Sequence, residues 1–289
     1  MNAFSRSWEL TKLTFDVMKK DKKLFLFPLI GGIFSILFII AMVLPFVVKD
    51  AFSEAGIASS GLGFYGWIFI LYLGLAFIAT FFNVCTVYTI RQTFDGKHAK
   101  FGDAIKFAFS RIHLIFMWAI ISATVGLILR ILDDIAERMG GIGEIIMKIF
   151  ISMLGAAWAI ITAFVIPGMV YENIGPFKAF KRSIQTVRKT WGESLTRYYG
   201  LGFVEFIFIL IGVIMTIVLA VVGAVVSPVL MWIFIIAGCL YLLAVVLVFS
   251  IANNVFNTAL YVYANTGKAP KGYRHDILAE TFKKNKDKE

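Results

Sequence analysis

The chain has 289 residues, 60% of them hydrophobic, and a formal net charge of +10 from 28 Lys and Arg against 18 Asp and Glu. Its apolar residues gather in runs long enough to cross a bilayer, since about 20 of them span the hydrocarbon core as a helix, and what remains is too short for a soluble catalytic domain. The positive balance does not point to nucleic acid, because the cations flank the apolar runs, where they set topology and attract anionic headgroups.

In chain order, residues 3–20 have helical spacing. Arg6, Glu9, Lys12, Asp16 and Lys20 form a polar stripe, and Phe4, Trp8, Phe15 and Met18 take another face. Six spans are predicted over 24–48, 64–90, 114–132, 145–166, 201–226 and 229–262. The first is too long for the apolar core of a signal peptide and lacks a small-residue cleavage site, so it reads as an anchor. Residues 49–63 are rich in Gly and Ser and read as an outer loop. Before the third span, Phe101, Ile105, Ala108 and Ile112 line one helical face. Residues 131–144 read as a short outer helix ending at Gly140-Gly141. Before the fifth span, Phe177, Phe180, Ile184, Val187 and Trp191 form a stripe flanked by Lys178, Lys181, Arg182, Arg188 and Lys189. Ser227 is placed to cap the sixth span and Pro228 to open it. Tyr273, Ile277, Leu278 and Phe282 suggest a short helix in the tail.

Basic residues alternate along this chain. The segments on one side hold six, five, six and seven Lys or Arg, and those on the other hold one, three and none. Basic segments stay cytoplasmic, so the expectation is a multi-pass protein of the cell (inner, cytoplasmic) membrane with both termini inside. The fold class is an all-α polytopic helix bundle, with three hairpins each preceded by an interfacial amphipathic helix. The repeat-like units are 1–90, 101–166 and 176–264, with a cytoplasmic tail at 265–289, in one membrane domain. Asn83-Val84 and Gly96-Lys97 recur as Asn254-Val255 and Gly267-Lys268, all offset by 171 residues.

Polar residues within spans are the first functional candidates, because they are costly there. Glu205, Asn83, Asn254 and Asn257 fall at the inner ends of spans five, two and six, and Asn253 is adjacent. They suggest either a polar pocket for a headgroup, a cation or a proton, or ordinary interhelical hydrogen bonds. Arg130 and Lys148 are expected to snorkel at outer span ends. Asp133, Asp134 and Glu137 read as a solvated face more readily than as a divalent-ion site. Cys85 and Cys239 read as small buried side chains rather than a disulfide. No catalytic constellation, metal set or cofactor motif is present: His98, His113 and His275 lack ligand spacing, and HExxH, P-loop and GxSxG patterns are missing. Gly31, Gly32, Gly66, Gly74, Gly155 and Gly212 permit close helix approach, within the chain or between copies.

Three groups of residues carry a resemblance. They are Phe4-Ser5-Arg6-Ser7-Trp8 with Phe27-Pro28, then Tyr171-Glu172-Asn173 with Ala179 and Arg182-Ser183, and finally Asn257-Thr258-Ala259-Leu260-Tyr261-Val262-Tyr263-Ala264 with Gly267 and Pro270. The chain resembles, over nearly its whole length, a domain-of-unknown-function family of bacterial and archaeal multi-spanning membrane proteins. The resemblance implies six spans with cytoplasmic termini, marks Glu172, Asn173 and Asn257 as recurrent positions, and implies no activity. The expected function is non-enzymatic. It consists of binding or organising membrane lipids, anionic headgroups above all, with Lys178, Lys181, Arg182, Arg188 and Lys189 in contact. Scaffolding of a membrane-protein partner or a homo-oligomer belongs to the same expectation. The alternative is a transporter or channel using Glu205 and the asparagines. An enzyme would need a partner or cofactor that the residues do not reveal.

Overall fold

A computed structural model describes residues 3–51, 62–191, 200–275 and 278. It is 90% helix, with no strand among the described residues. The helices are α1 (Ala3–Lys20), α2 (Leu26–Ala51), α3 (Leu62–Phe94), α4 (Phe101–Ser110), α5 (Ile112–Met139), α6 (Gly141–Thr162), α7 (Val165–Glu172), α8 (Pro176–Trp191), α9 (Gly200–Val226) and α10 (Pro228–Thr266). A single 3-10 turn, Lys22–Phe25, joins α1 to α2; the Asp21 carboxylate caps it by accepting the Lys23 N–H at 3.1 Å. Among the described residues, six stretches are long and apolar enough to cross a membrane: Lys22–Pro45, Gly63–Phe94, Ile112–Met139, Gly141–Glu172, Leu201–Val226 and Pro228–Thr266. The protein is a multi-pass membrane protein. The expected outer loop, Trp8, Arg197, and Ile277 and Phe282 of the tail lie outside the described residues or have side chains that do.

Two compact units are formed. One contains Met1–Leu26, Ile90–His98 and Arg188–Glu289; the other contains Phe27–Thr89 and Ala99–Val187. In the first, α9 and α10 make an antiparallel hairpin on which α1 packs. Its turn is Ser227 alone. The Ser227 hydroxyl accepts the Val229 N–H at 3.3 Å, and Pro228 starts α10 where a missing donor costs nothing. Close approach at this turn requires Gly223, because a Cβ there would lie 2.9 Å from the Met231 backbone nitrogen. Most of the hairpin's large apolar side chains from Phe203 to Val246 are exposed, Val245 being buried, whereas α10 buries Phe249, Ile251, Ala252 and every residue from Val255 to Tyr261 except the half-buried Asn257.

The second unit has the same gradient. Ile33 to Leu44 of α2 and Ile142 to Leu154 of α6 are largely exposed, while Phe27, Phe81, Val84, Cys85, Val87, Ala104, Ala108, Ile115, Ile166 and Val170 form one core cluster. Trp118, Val165, Met169 and Ala179 form another, in which the Trp118 and Trp158 rings stack 5.9 Å apart. Of the expected close-approach glycines, Gly31 abuts Phe82 and Gly74 abuts Phe38 here, as Gly212 abuts Tyr241 in the first unit; Gly32, Gly66 and Gly155 face open space.

Three local expectations are corrected. Residues 131–139 are not a separate outer helix: they continue α5 without a Gly or Pro between Ile131 and Met139, and Gly140, with φ of 63°, makes the turn. The fourth span is not one helix: it breaks at Ala163–Phe164. Pro167 lacks an N–H to give the Ala163 carbonyl, and its ring crowds that carbonyl, so the chain restarts as α7 with Pro167 in the first turn. Cys239 is exposed rather than buried, whereas Cys85 is buried with its thiol toward the Ala104 carbonyl at 3.6 Å.

Candidate functional site

The candidate residues fall in both units. In the unit holding α4 to α7 and α8 as far as Val187, the break after α6 is held by a side chain from α8. The fully buried Ser183 hydroxyl donates to the Ile161 carbonyl and accepts the Phe164 N–H at 3.2 Å. Ala179, Ser183 and Thr186 are buried at helical spacing, so α8 seats its small side chains. Lys178 and Lys181 are left exposed, as are Arg188 and Lys189 farther along the same helix, which are counted with the other unit. Arg182 is turned the other way, with its Nε donating to Glu172 at 2.9 Å. Both partners are about a third exposed, so the pair contributes about 0–1 kcal/mol.

Asn173 has a backbone role as well. It sits at the end of α7 with φ 54° and ψ 38°, the left-handed cap that Asn tolerates better than other side chains. Its side-chain oxygen accepts from the Arg111 guanidinium, which also lies 4.6 Å over the Phe107 ring. Glu172, Asn173, Arg111 and Arg182 therefore form one polar cluster at the α7–α8 junction. Asn83 lies in α3 of this unit, and its Oδ1 is buried with no hydrogen-bond partner among the described residues. At the far end of these helices, Arg130 reaches Asp134 at 2.9 Å and Asp133 at 3.5 Å, Tyr65 donates to Asp134 at 3.1 Å, and Lys148 reaches Glu144 at 2.6 Å. These acids are engaged by cations of their own helices. No group of three His, Cys, Asp or Glu that could hold a metal ion occurs among the described residues.

The other unit holds Glu205, Asn253, Asn254 and Asn257. Glu205 on α9 is half-buried and accepts a hydrogen bond from the Asn253 side chain on α10. The Asn254 carbonyl accepts the Thr258 hydroxyl at 2.6 Å. Nearer the charged ends of this unit, the segment after α10 is fastened to α1. Tyr273 and Thr14 share a buried hydrogen bond of 2.7 Å, Arg274 reaches Glu9 at 3.2 Å, and the Tyr273 ring meets Phe94 edge-on at 6.1 Å. Burial pushes the Tyr273 phenol well above its ordinary value, and the bond to Thr14 only partly offsets that.

Sequence reasoning missed two features: the Ser183 peg, and a cavity of about 620 Å³ between α1, α9 and α10. The peg had a signal in Pro167. The cavity had none, because its walls are more than 180 residues apart in the chain.

No curated protein and no solved structure matches the chain. A family described as a family of unknown function (DUF6159) matches residues 62–271, which includes the Tyr171-Glu172-Asn173 and Asn257–Ala264 segments but not Phe4–Trp8. With well over half of its length matched, the chain belongs to that family.

Proposed function

We propose that the protein is a non-enzymatic component of the cell (inner) membrane, termini in the cytoplasm, that gathers anionic lipid at the cytoplasmic leaflet through α8. The observation that carries this reading is the two-sidedness of α8. Ala179, Ser183 and Thr186 are buried while Lys178, Lys181, Arg188 and Lys189 are exposed on the same four-turn helix. A helix anchored on one face with cations on the other suits the headgroup layer. Each such cation is worth about 1 kcal/mol beside an anionic surface, so the four together supply up to about 4 kcal/mol, screened by salt.

The test is thermal unfolding in neutral micelles doped with phosphatidylglycerol or phosphatidylcholine. A ligand that binds only the folded state raises its stability. Wild type is stabilised by phosphatidylglycerol, and a variant carrying Lys178→Glu, Lys181→Glu, Arg188→Glu and Lys189→Glu is not. Equal stabilisation of the two proteins overturns the reading.

A second reading, a transporter or channel, draws on Glu205, a carboxyl kept within the apolar stretch Leu201–Val226 and bonded to Asn253. Ion or solute flux in liposomes that Glu205→Gln abolishes favours it; flux equal to that of empty liposomes removes it.

A further inference from the structure

The cavity between α1, α9 and α10 lies within one unit and has a volume of about 620 Å³, inside the roughly 300–1,000 Å³ range of small-ligand sites. Its walls are apolar: Phe15 of α1, Val204 and Phe208 of α9, and Ala244, Val248 and Phe249 of α10. Phe249 anchors the wall, meeting Phe15 edge-on at 6.0 Å and Phe208 at 5.9 Å. Tyr241 closes one end, its hydroxyl donating to the Phe208 carbonyl at 3.4 Å. Glu205, next to Val204, is engaged with Asn253.

Helix length places this cavity in depth. α10 has 39 residues, about 58 Å at 1.5 Å per residue, while hydrocarbon is crossed by about 20 residues. Counted from Pro228 at the turn, the crossing ends near Phe249; counted back from Val226 on α9, it ends near Phe206. Burial changes at the same point, since Leu240 and Leu243 are 61% and 49% exposed while Phe249 is 4% exposed. The apolar walls thus end where acyl chains meet headgroups. The cavity's α1 side carries Lys12, Asp16 and Lys19, all exposed and spaced i, i+4 and i+7, so they share a face. Lys19 and Asp16 are 3.6 Å apart. Along this rim the charges run positive, negative, positive.

We propose that this groove binds one glycerophospholipid, with an acyl chain between α9, α10 and Phe15. Its phosphate is held by Lys12 and Lys19, and a primary ammonium of the same headgroup faces Asp16. A headgroup with phosphate alone meets Asp16 as a repulsive neighbour, whereas one carrying both signs satisfies the whole rim. The proposal extends the lipid-binding reading to a second site, on α1, α9 and α10, and the two fail separately, because reversing the four α8 charges leaves the groove occupied.

The test uses the full chain reconstituted into vesicles of equimolar phosphatidylethanolamine and phosphatidylglycerol, re-extracted into mild detergent and weighed by native mass spectrometry. Wild type retains one phospholipid and prefers the ethanolamine head by about two- to fivefold, the scale of one exposed ion pair. Ala244→Trp fills the groove and lowers occupancy by about tenfold or more, since each methylene removed from burial loses about 0.8 kcal/mol. Leu243→Trp, exposed on the same helix and outside the groove, retains the lipid. Matched unfolding midpoints of the two Trp variants show that both fold. Asp16→Asn keeps the lipid and loses the headgroup preference, which a merely structural surface pair would not do. Occupancy unchanged in Ala244→Trp, or no retained lipid in wild type, overturns the site. Equal retention of the two headgroups by wild type overturns the role of Asp16.

Discussion

Replacing Ser183 by Ala removes both hydrogen bonds that fasten α8 to the broken fourth span. The Ile161 carbonyl loses a donor and the Phe164 N–H loses an acceptor at 3.2 Å. Pro167 prevents the break from closing into a continuous helix, so the lost bonds are not recovered within the strand of chain from 160 to 168. The position is 0% exposed, which keeps water from replacing the hydroxyl. Loss of one partner in a buried bond costs about 1–3 kcal/mol, and interhelical bonds in membrane proteins average about 0.6 with a maximum near 1.7 kcal/mol. The two bonds together give an expected loss of about 2–3 kcal/mol. Equilibrium unfolding by sodium dodecyl sulfate in mixed micelles measures it, with Ser110→Ala as the comparison. Ser110 is exposed and bonds only to Phe107 of its own helix, so its loss costs under about 0.5 kcal/mol. Hydrogen exchange at Phe164 and Gly168 accelerates in Ser183→Ala alone. A Ser183→Ala protein within about 0.5 kcal/mol of wild type refutes the peg.

Tyr273→Phe deletes the 2.7 Å bond to Thr14 and costs about 1 kcal/mol. The same variant changes alkaline behaviour: the folded phenol titrates above its ordinary value of 10.0, so the stability it contributes is complete below about pH 10 and is lost as pH rises beyond it. Unfolding midpoints measured from neutral to strongly alkaline pH therefore fall less steeply for Tyr273→Phe than for wild type; parallel curves contradict the burial. Gly223→Ala pushes a Cβ to 2.9 Å from a backbone nitrogen that cannot rotate away, costing about 1–3 kcal/mol, readable as lowered resistance of the α9–α10 hairpin to proteolysis at Ser227. Asn173→Gly keeps the left-handed cap but loses the Arg111 bond, costing about 1 kcal/mol, whereas Asn173→Ala loses both and costs about 1 kcal/mol more in the same unfolding assay.

The spans were legible because hydrocarbon leaves a helix no alternative but apolar side chains and internal hydrogen bonds. Hydropathy could not tell lipid contact from protein contact, which is why the buried continuation of α10 from Phe249 to Tyr261 read as more membrane. The same blindness applied to α1. Phe15 and Met18 lie on its predicted apolar face, and Met18 is buried at 1% exposure, but Thr11 and Thr14 share that buried face at 4% and 0%. Threonine hides well there, since Thr14 has Tyr273 to bond. Pro167 falls just beyond the predicted fourth span, 145–166, and only the partner element, α8, shows that the chain breaks there and continues as α7. Asn173 was singled out for resemblance, while its left-handed backbone follows from the Asn that closes α7 before Gly175 and Pro176. Glu205 was expected to meet the span-six asparagines, and Asn253 rather than Asn254 or Asn257 bonds to it. A helix of 3.6 residues per turn resolves such neighbours only when the facing helix is known.

The central claim, that the protein gathers anionic lipid through the basic face of α8, is tested most directly by weighing what surrounds it in its own membrane. Wild type and the four-charge α8 variant are extracted with a membrane-solubilising polymer, without detergent, and the lipids of the purified discs are quantified against the parent membrane. The account predicts anionic lipid enriched above the membrane average around wild type and returned to that average around the variant. Discs of average composition around both proteins contradict it.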